Sequence, residues 1–329
     1  MGVGAYQGLE FVHVEARRII NEVRNSPFDF RFTINPYRGC SHACAYCFAR
    51  PTHEYLGFNS GEDFDRRIVV KVNAVERLRA EVRSPKWIGD GIAMGTNTDP
   101  YQRAEGRYRL TRGIVRELTD VANPFSILTK STLILRDLDL LTKAAARTEV
   151  RCAFSIGTVD ESVWRRTETG APHPRRRVEA LARMVDAGIT TGVLVAPVIP
   201  GLSDRTEQIE EVVAACVEAG AAWISAIPLH LRPGVREHFL AATAKEDPAL
   251  AARLGRRYRR AYLPAEEQRA ISARVTVALG RTRWRSGEPA TPQAQRDAVP
   301  STPPTRRATE EGRSAGRQLS LAWPGHEAD

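Results

Sequence analysis

The sequence lacks any apolar stretch that is long enough to cross a lipid bilayer. A membrane-spanning helix needs about 20 predominantly apolar residues, and the 329 residues contain no such run. The first ten residues also lack the basic stretch and apolar core that mark a secretory signal. We therefore expect no membrane contact and a location in the cytoplasm.

Cysteine is scarce, with five residues in the chain, and three of these lie close together at Cys40, Cys44 and Cys47. A secreted disulfide framework spaces an even number of cysteines through a short chain. The odd number and the clustering argue against that class and indicate a metal or cluster site in a reduced compartment. The isolated Cys152 and Cys216 are predicted to be buried structural residues, since Cys152 lies on a predicted strand and Cys216 on a predicted helix.

Acidic residues are fewer than basic ones: the chain has 39 aspartates and glutamates and 48 lysines and arginines. The net charge is +9 and the pI is about 9.6. A basic balance favours polyanionic partners, above all nucleic acid. Arginine is more frequent than lysine and alanine is abundant, which indicates a compositional bias as the alternative explanation. The charge alone leaves both interpretations open.

From residue 28 onward, short apolar runs bounded by turn residues alternate with helical patterns. The apolar runs predict six strands at Phe28–Asn35, Gly91–Gly95, Phe125–Thr129, Val150–Ile156, Thr191–Ala196 and Trp223–Pro228. Apolar residues at three-to-four spacing predict helices at Ala74–Arg83, Thr111–Ala122, Leu138–Arg147, Arg175–Ala187 and Arg205–Ala219.

Strands that alternate with helices pair in parallel through right-handed crossovers. Six such units are too few for an eight-stranded barrel. They favour an α/β fold with an open, partial (β/α)6 TIM-like barrel over a doubly wound sheet, although spacing alone does not separate the two.

The composition divides the chain into four parts: an N-terminal extension (1–27), the barrel (28–240), a C-terminal helical segment (241–285) and a tail (286–329). The extension is predicted to hold a short amphipathic helix near Val14–Val23, and the third part a helix over Pro264–Leu279. The tail is rich in Pro, Ser, Thr, Arg, Ala and Glu, and therefore cannot bury enough apolar surface to order itself. It ends in a short apolar motif.

The three clustered cysteines form the pattern C-x3-C-x2-C directly after the first predicted strand. Thiolates are soft ligands that suit iron–sulfur clusters, zinc or copper(I). Electron-transfer clusters commonly use four cysteines, so three leave one iron open to a substrate. The alternative is a structural Cys3His zinc site with His42 or His53 as the fourth ligand. Structural zinc usually takes two separated ligand pairs, which favours the cluster.

The cysteine spacing, with the aromatic Tyr46 before the last cysteine, resembles the signature of radical S-adenosylmethionine enzymes. Within that superfamily, the segment Asn35–Arg50 resembles the group related to spore photoproduct lyase, and the resemblance covers residues 28–240. It implies a partial (β/α)6 barrel, a [4Fe–4S] cluster on the three cysteines, and S-adenosylmethionine as the cofactor. It also implies reductive cleavage to a 5′-deoxyadenosyl radical and an external electron donor of the flavodoxin or ferredoxin type.

Several polar residues follow the predicted strands, where sites collect in parallel barrels. The resemblance implies that Thr98 and Asp99 lie near the cofactor's amino group, although Asp-Pro also favours a simple turn. It implies that Lys130 and Ser155 bind the cofactor's carboxylate, and that Glu168 contacts the cofactor or an arginine.

The aromatic residues Tyr46 and Phe48 flank Cys47, and the resemblance implies that they lie near the adenine and the cluster. The segment Val195–Pro197 ends the fifth predicted strand. Backbone contacts to adenine are one interpretation of this segment, and apolar core is the simpler one.

The sequence departs from spore photoproduct lyase at one point. That enzyme uses a cysteine near the second strand as hydrogen donor, and residues 89–105 contain none. Tyr101 is a weak candidate for a radical relay, and the catalytic residue stays unassigned.

The leading hypothesis is a radical enzyme with an unidentified substrate, for which a nucleic acid lesion is one candidate. The alternative is a non-catalytic iron–sulfur or zinc protein that binds nucleic acid. A peptide-modifying radical enzyme is a third and weaker hypothesis, because only two cysteines remain for an auxiliary cluster.

The motif Gln318-Leu-Ser-Leu-Ala-Trp323 generates the first prediction. It resembles the Gln-Leu-x-Leu-x-Phe peptides that dock on the bacterial DNA sliding clamp, with Trp323 in place of Phe; the alternative is that it folds back onto the barrel. Disordered chains often carry one such docking motif, which orders on binding. A peptide of residues 314–329 should bind purified clamp with micromolar affinity by calorimetry, and Leu321→Ala should abolish binding. A peptide that stays unbound at high micromolar concentration would contradict the clamp hypothesis.

Overall fold

The structure is a computed structural model, and it describes residues 3–6, 8–23 and 30–282. The strands are β1 (Val3–Tyr6), β2 (Leu9–Val14), β3 (Ile20–Glu22), β4 (Phe32–Ile34), β5 (Tyr37–Arg38), β6 (Arg67–Lys71), β7 (Ile92–Met94), β8 (Phe125–Thr129), β9 (Val150–Ser155), β10 (Thr191–Val198) and β11 (Ile224–Pro228).

The helices that connect and cover these strands are α1 (Glu62–Arg66), α2 (Ala74–Val82), α3 (Arg103–Tyr108), α4 (Leu110–Asp120), α5 (Leu138–Ala145), α6 (Glu161–Thr167), α7 (Pro174–Asp186), α8 (Thr206–Glu218), α9 (Val235–Ala244), α10 (Pro248–Arg257) and α11 (Ala265–Arg281). Two 3₁₀ helices cover Arg50–Leu56 and Thr132–Asp137. No helix in the described part is long and apolar enough to span a membrane.

The larger sheet has the order β11-β10-β9-β8-β7-β4-β3. All pairs from β4 to β11 are parallel, and β3 adds an antiparallel edge beside β4. The order of the parallel strands follows the sequence without reversal, whereas a doubly wound sheet reverses at its switch point. The predicted partial (β/α)6 barrel is thereby confirmed, and each of the six predicted strands is present with small shifts in its bounds.

The core lies between the parallel strands and the helices that cover them. Strand β9 is buried over almost its whole length, as expected for a parallel strand covered on both faces. Helix α4 turns one apolar stripe inward, with Leu110, Ile114 and Leu118 at three-to-four spacing. The same pattern in the other covering helices explains why the sequence located most of them.

The predicted helix near Val14–Val23 is wrong, because this segment supplies the end of strand β2 and the whole of β3. Long-range hydrogen bonds use the backbone groups that a helix would pair internally. The Glu81 carboxylate accepts from the backbone N–H groups of Ile19 (2.7 Å) and Ile20 (3.0 Å), and Asn73 pairs with the backbone of Ala16. Tertiary pairing therefore overrides the local helical pattern.

A smaller sheet, of order β1-β2-β6-β5, lies next to the barrel strands. Strand β6 was not predicted; it pairs in parallel with β2 and antiparallel with β5. Strand β5 ends at Arg38, two residues before Cys40, so this sheet fixes the start of the cysteine loop.

The predicted C-terminal helix is observed as α11, which packs against α8 and β11. Helices α9 and α10 precede it and pack against each other. The tail and its motif Gln318–Trp323 lie outside the described residues.

Candidate cluster and cofactor site

A cavity of about 210 Å³ opens where the parallel strands of the barrel end. Its wall includes the cysteine loop, the loops after β7 and β8, and the ends of β9, β10 and β11. The lining residues are Cys40, His42, Cys44, Tyr46, Cys47, Phe48, Ala49, Gly95, Asn97, Thr98, Asp99, Leu128, Thr129, Lys130, Ser155, Leu194, Ala196, Pro197, Ile227, Pro228, Leu229 and His230. All the predicted site residues except Glu168 are therefore brought to one cavity.

The three cysteines of the loop are free thiols: Cys40 and Cys44 are buried, and Cys47 is partly exposed. Burial raises the pKa of the Cys44 thiol to about 12, and it raises the pKa values of Cys40 and Cys47 as well. A buried thiolate needs cationic partners, which a bound metal centre supplies. The donor set thus fits a thiolate-bound metal centre.

The geometry fits a cluster better than a single zinc ion. Within residues 3–6, 8–23 and 30–282, no three His, Cys, Asp or Glu side chains converge on one metal position. Each proposed fourth zinc ligand uses one ring nitrogen elsewhere, with His42 Nδ1 3.3 Å from Asp99 Oδ2 and His53 Nε2 2.9 Å from the Arg67 carbonyl oxygen. In a cluster each thiolate binds a different iron, so the sulfur atoms need not converge.

The start of the cysteine loop is held by one buried side chain, Gln102, which sequence reasoning missed as a functional residue. Its Oε1 accepts from the Ser41 N–H (3.0 Å), and its Nε2 donates to the Gly39 carbonyl (2.9 Å). The Thr98 hydroxyl also donates to the Gly39 carbonyl (2.7 Å). Thr98 lines the cavity as predicted, but its hydroxyl positions the loop. Gly39 has a φ of +76°, where a Cβ atom would lie 2.9 Å from the Phe64 carbonyl oxygen.

The end of the loop is held by Arg50, whose side chain is 1% exposed. Its guanidinium donates to the Cys44 carbonyl (3.1 and 3.0 Å) and to the Asp65 carboxylate (2.8 and 3.0 Å). Sequence reasoning assigned Arg50 no role, although it closes the segment that carries the family resemblance. With five N–H donors, the guanidinium can hold the Cys44 backbone and the Asp65 carboxylate at the same time.

Asp99 connects the loops after β7 and β8. Its carboxylate accepts from the Thr129 hydroxyl (2.7 Å) and from the backbone N–H groups of Lys130 (2.7 Å) and Tyr101 (2.9 Å). Burial opposes ionisation, but the neighbouring His42 and these hydrogen bonds hold the pKa of Asp99 at about 2. Asp99 is therefore a buried anion in the cavity wall, and it makes the turn contact that Asp-Pro sequences favour.

Lys130 and Ser155 meet although 25 residues separate them. The Lys130 ammonium donates to Ser155 Oγ (2.8 Å), and the Ser155 hydroxyl donates to the Ala196 carbonyl (2.8 Å). The ammonium also lies 3.9 Å from Glu168 Oε1 and 5.6 Å from the centre of the Tyr46 ring. This is a cation in a cavity wall, an arrangement that suits an anionic ligand group such as a carboxylate.

Glu168 does not line the cavity, but lies behind its wall. It contacts an arginine, which is one of the two roles predicted for it. Its carboxylate accepts from the Tyr46 hydroxyl and from the Arg177 guanidinium. Burial disfavours the charged form, but Arg177 and Lys130 lower the pKa of Glu168 below its ordinary value. Its backbone pairs with Cys44, so it fixes the middle of the cysteine loop.

The remaining candidates lie apart from the cavity. Cys152 and Cys216 are buried, as predicted, and neither lines it. Tyr101 is also buried outside the lining.

The exposed fraction of Phe48, 47%, contrasts with 8% for Tyr46, so the two aromatic residues beside Cys47 differ in their surroundings.

The cysteine loop, the cavity and the barrel together define an enzyme fold that presents three thiols and a cation at the ends of parallel strands. The family model of the Radical SAM superfamily matches residues 34–215, more than half of the chain. This protein belongs to the radical S-adenosylmethionine superfamily and is an enzyme of that class, whose members use an iron–sulfur cluster together with S-adenosylmethionine.

Three known proteins illustrate the relationship. An uncharacterized protein of Mycobacterium tuberculosis is 42% identical over 298 residues, which cover 90% of this chain and 88% of that protein. The radical SAM Nalpha-GlyT isomerase of Pseudomonas phage M6 is 26% identical over 213 residues, which cover 60% of this chain and 42% of that protein. Solved structures of spore photoproduct lyase superpose with a TM-score of 0.62 at 16% identity, over 82% of this chain and 79% of that one. The last likeness confirms the predicted fold.

The buried pair Glu168–Arg177 generates the second prediction. Removing one partner of a buried ion pair typically costs about 3–5 kcal/mol, because the other charge is left uncompensated. Arg177→Met should therefore lower the free energy of unfolding of the metal-free protein by about that amount, measured by urea denaturation. Adding Glu168→Gln should recover part of the lost free energy of unfolding, because it removes the carboxylate charge that the first substitution leaves without its arginine partner. Additive losses in the double variant would show that the two side chains are not coupled.

Proposed function

We propose that this enzyme binds a [4Fe–4S] cluster through Cys40, Cys44 and Cys47 and cleaves S-adenosylmethionine reductively to a 5′-deoxyadenosyl radical. The observation that supports this proposal is that the three thiols of one loop share a single cavity with the Lys130–Ser155 pair. Three protein thiolates for four irons leave one iron open to the cofactor. When bound, the cluster supplies the electron for this cleavage, which an external donor of the flavodoxin or ferredoxin type replenishes.

The chain's own residues bind and orient the cofactor. The Lys130 ammonium pairs with the carboxylate of S-adenosylmethionine, and Ser155 fixes the ammonium by hydrogen bonding. Tyr46 and Phe48 lie beside Cys47, where an adenine ring would contact them, and Ala196 and Pro197 of the segment Val195–Pro197 line the cavity. Asp99 carries the negative charge that suits the cofactor's amino group. Thr98 and Glu168 position the cysteine loop.

A non-catalytic iron–sulfur or zinc protein that binds nucleic acid is the alternative. Its metal centre would not need the cationic cavity wall beside the thiols, so the cavity favours the enzyme. A peptide-modifying radical enzyme with an auxiliary cluster is disfavoured, because Cys152 and Cys216 are buried away from the cavity.

The substrate that we propose is a nucleic acid. Support comes from the names of two similar proteins: spore photoproduct lyase has been solved with a dinucleoside spore photoproduct, and the phage relative is named as a radical SAM Nalpha-GlyT isomerase. Repair by the route of spore photoproduct lyase is not part of the proposal, because residues 89–105 lack the cysteine donor. The cytoplasmic location and the docking on the sliding clamp stay predictions.

The third prediction concerns the cluster. Protein purified without oxygen should be brown and contain about four irons and four sulfides per chain. Replacing any one of Cys40, Cys44 and Cys47 with alanine should remove the iron, because the thiolates are its ligands. Cys216→Ala, which removes a remote buried thiol, is the matched control and should keep the iron per folded chain. One zinc per chain, with no iron after reconstitution, would rule out the cluster.

The fourth prediction concerns the cofactor. The reduced wild-type enzyme should form 5′-deoxyadenosine even without substrate. Lys130→Ala should weaken the binding of S-adenosylmethionine at least about tenfold by calorimetry, the loss of one charge-assisted hydrogen bond, while iron content stays unchanged. Lys143→Ala, on the exposed face of α5, is the control and should bind normally. A wild-type enzyme that holds the cluster but binds no S-adenosylmethionine would overturn the proposed function.

A further inference from the structure

The mouth of the cavity carries exposed aromatic side chains. In the described part of the chain, the strongly exposed aromatic residues are Phe48 (47%), Tyr55 (65%) and Tyr262 (51%). Phe48 lines the cavity, and Tyr262 stacks on the cavity-lining His230 with ring centres 4.1 Å apart and planes within 5°. Aromatic rings contribute most when buried, so exposed rings at one opening indicate a surface that a ligand covers. We call Phe48, Tyr55 and Tyr262 the rim aromatics.

The third of these residues, Tyr55, lies near the same opening. The guanidinium of Arg232 lies within electrostatic range of Tyr55, Cys47, Glu54 and Tyr262. Tyr55 belongs to the 3₁₀ helix that follows the cysteine loop, whereas Tyr262 lies between α10 and α11. Two segments that are far apart in the sequence thus bring aromatic rings to one region beside the cysteines.

Hydrogen bonds fix the segment that carries Tyr262 against the cavity wall. The Leu231 N–H donates to the Ala261 carbonyl (2.8 Å), and the buried Tyr258 hydroxyl donates to the carbonyl of the cavity-lining Leu229 (3.0 Å). Residues 258–262 therefore run along the rim as an anchored segment.

The same segment and the end of α10 carry a dense positive charge. Arg253, Arg256, Arg259 and Arg260 are all exposed, and no ion pair joins them to a carboxylate within the described residues. By contrast, the neighbouring Arg257 pairs with Glu267. Like charges at this density repel one another and attract a polyanion. We call these four unpaired side chains the arginine stretch.

We propose that the arginine stretch and the rim aromatics bind an unpaired segment of a nucleic acid strand and deliver one of its nucleotides to the cavity. Phosphates would pair with the arginines, and bases would stack on the aromatic rings, which is how single-stranded nucleic acids are generally held. The inference rests on the proposed function and adds the surface and the strandedness of the substrate.

The burial of the thiols explains why the strand has to be unpaired. A reacting base must reach a cavity whose thiols are largely buried, and enzymes that act on a base first take it out of the helical stack. An acidic peptide would satisfy the arginines but offers no planar rings for the rim aromatics. The two features together therefore favour a nucleic acid strand over an acidic polypeptide.

The test uses the full-length, cluster-loaded enzyme under anaerobic conditions. Fluorescence anisotropy measures its affinity for labelled oligothymidylate and oligouridylate of about twelve nucleotides, within the usual range of site sizes. The same oligonucleotides annealed to their complements, and polyglutamate, serve as comparison ligands. Binding of at least one single strand, with weaker binding of the duplexes and of polyglutamate, supports the inference, and a preference between the two strands identifies the sugar.

Two matched sets of substitutions locate the surface. The first replaces Arg253, Arg256, Arg259 and Arg260 with alanine. The second removes the same charge from exposed side chains on the outer helices α2, α4, α5 and α7, by Arg77→Ala, Arg116→Ala, Lys143→Ala and Arg183→Ala. The first set should weaken binding at least about tenfold. It should also reduce the slope of log affinity against log salt concentration by up to about 2.8, which is about 0.7 for each of four lost phosphate contacts. The second set should change the affinity less than about threefold.

A single substitution tests the stacking. Tyr262→Ala should weaken binding about tenfold, since stacking on an aromatic side chain contributes substantially per base, whereas Tyr262→Phe should retain it. Formation of 5′-deoxyadenosine without substrate should persist in every variant, because none of the substituted residues lines the cavity.

Three outcomes would overturn the inference: equal losses in the two charge sets, polyglutamate binding as tightly as the single strands, or no binding of either single strand at low salt by an enzyme that still forms 5′-deoxyadenosine. The proposed function fails independently of this inference if the protein binds the single strands but neither assembles the cluster nor cleaves S-adenosylmethionine.

Discussion

The buried ion pair between Glu168 and Arg177 is the interaction on which the organisation of the site depends. Placing two charges inside the protein costs several kcal/mol unless further hydrogen bonds satisfy them. Here Arg177 also donates to the carbonyls of Pro172 (2.9 Å) and Ser155 (3.0 Å), and Glu168 accepts from Tyr46. The pair therefore connects the end of β9, the segment after α6 and the middle of the cysteine loop, and it fixes the surroundings of the lysine in the cavity wall.

The barrel explains why residues that are distant in the sequence meet at this site. Parallel strands end at one edge, so the loops that follow them share one opening. Asp99 follows β7, Lys130 follows β8 and Ser155 ends β9, and hydrogen bonds join the first to the second and the second to the third. The cysteine loop follows β5 and contributes to the wall of the same cavity. Chemistry at the cavity thus combines thiols from one loop with a carboxylate, an ammonium and a hydroxyl group that follow or end three successive strands.

Much of this arrangement was predictable because its signals are local. The apolar runs located the six parallel strands, and the cysteine spacing located the loop. Residues directly after strands, such as Lys130 and Asp99, could be assigned to the edge by topology alone. Sequence patterns could not predict the pairing of β2 with β6, because no periodicity relates the two segments. The same holds for the buried contacts of Gln102, Arg50 and Arg177. The hydroxyl of Thr98 shows the same limit, since its bond to the Gly39 carbonyl depends on how two loops pack.

In the function that we propose, three thiolates from one loop leave one iron open for S-adenosylmethionine. Mössbauer spectroscopy of enzyme reconstituted with isotopically enriched iron tests it most directly. Adding S-adenosylmethionine should change the isomer shift of one iron in four and leave the other three unchanged, because only one iron lacks a protein thiolate. A spectrum in which none of the four irons responds to the cofactor would contradict the account.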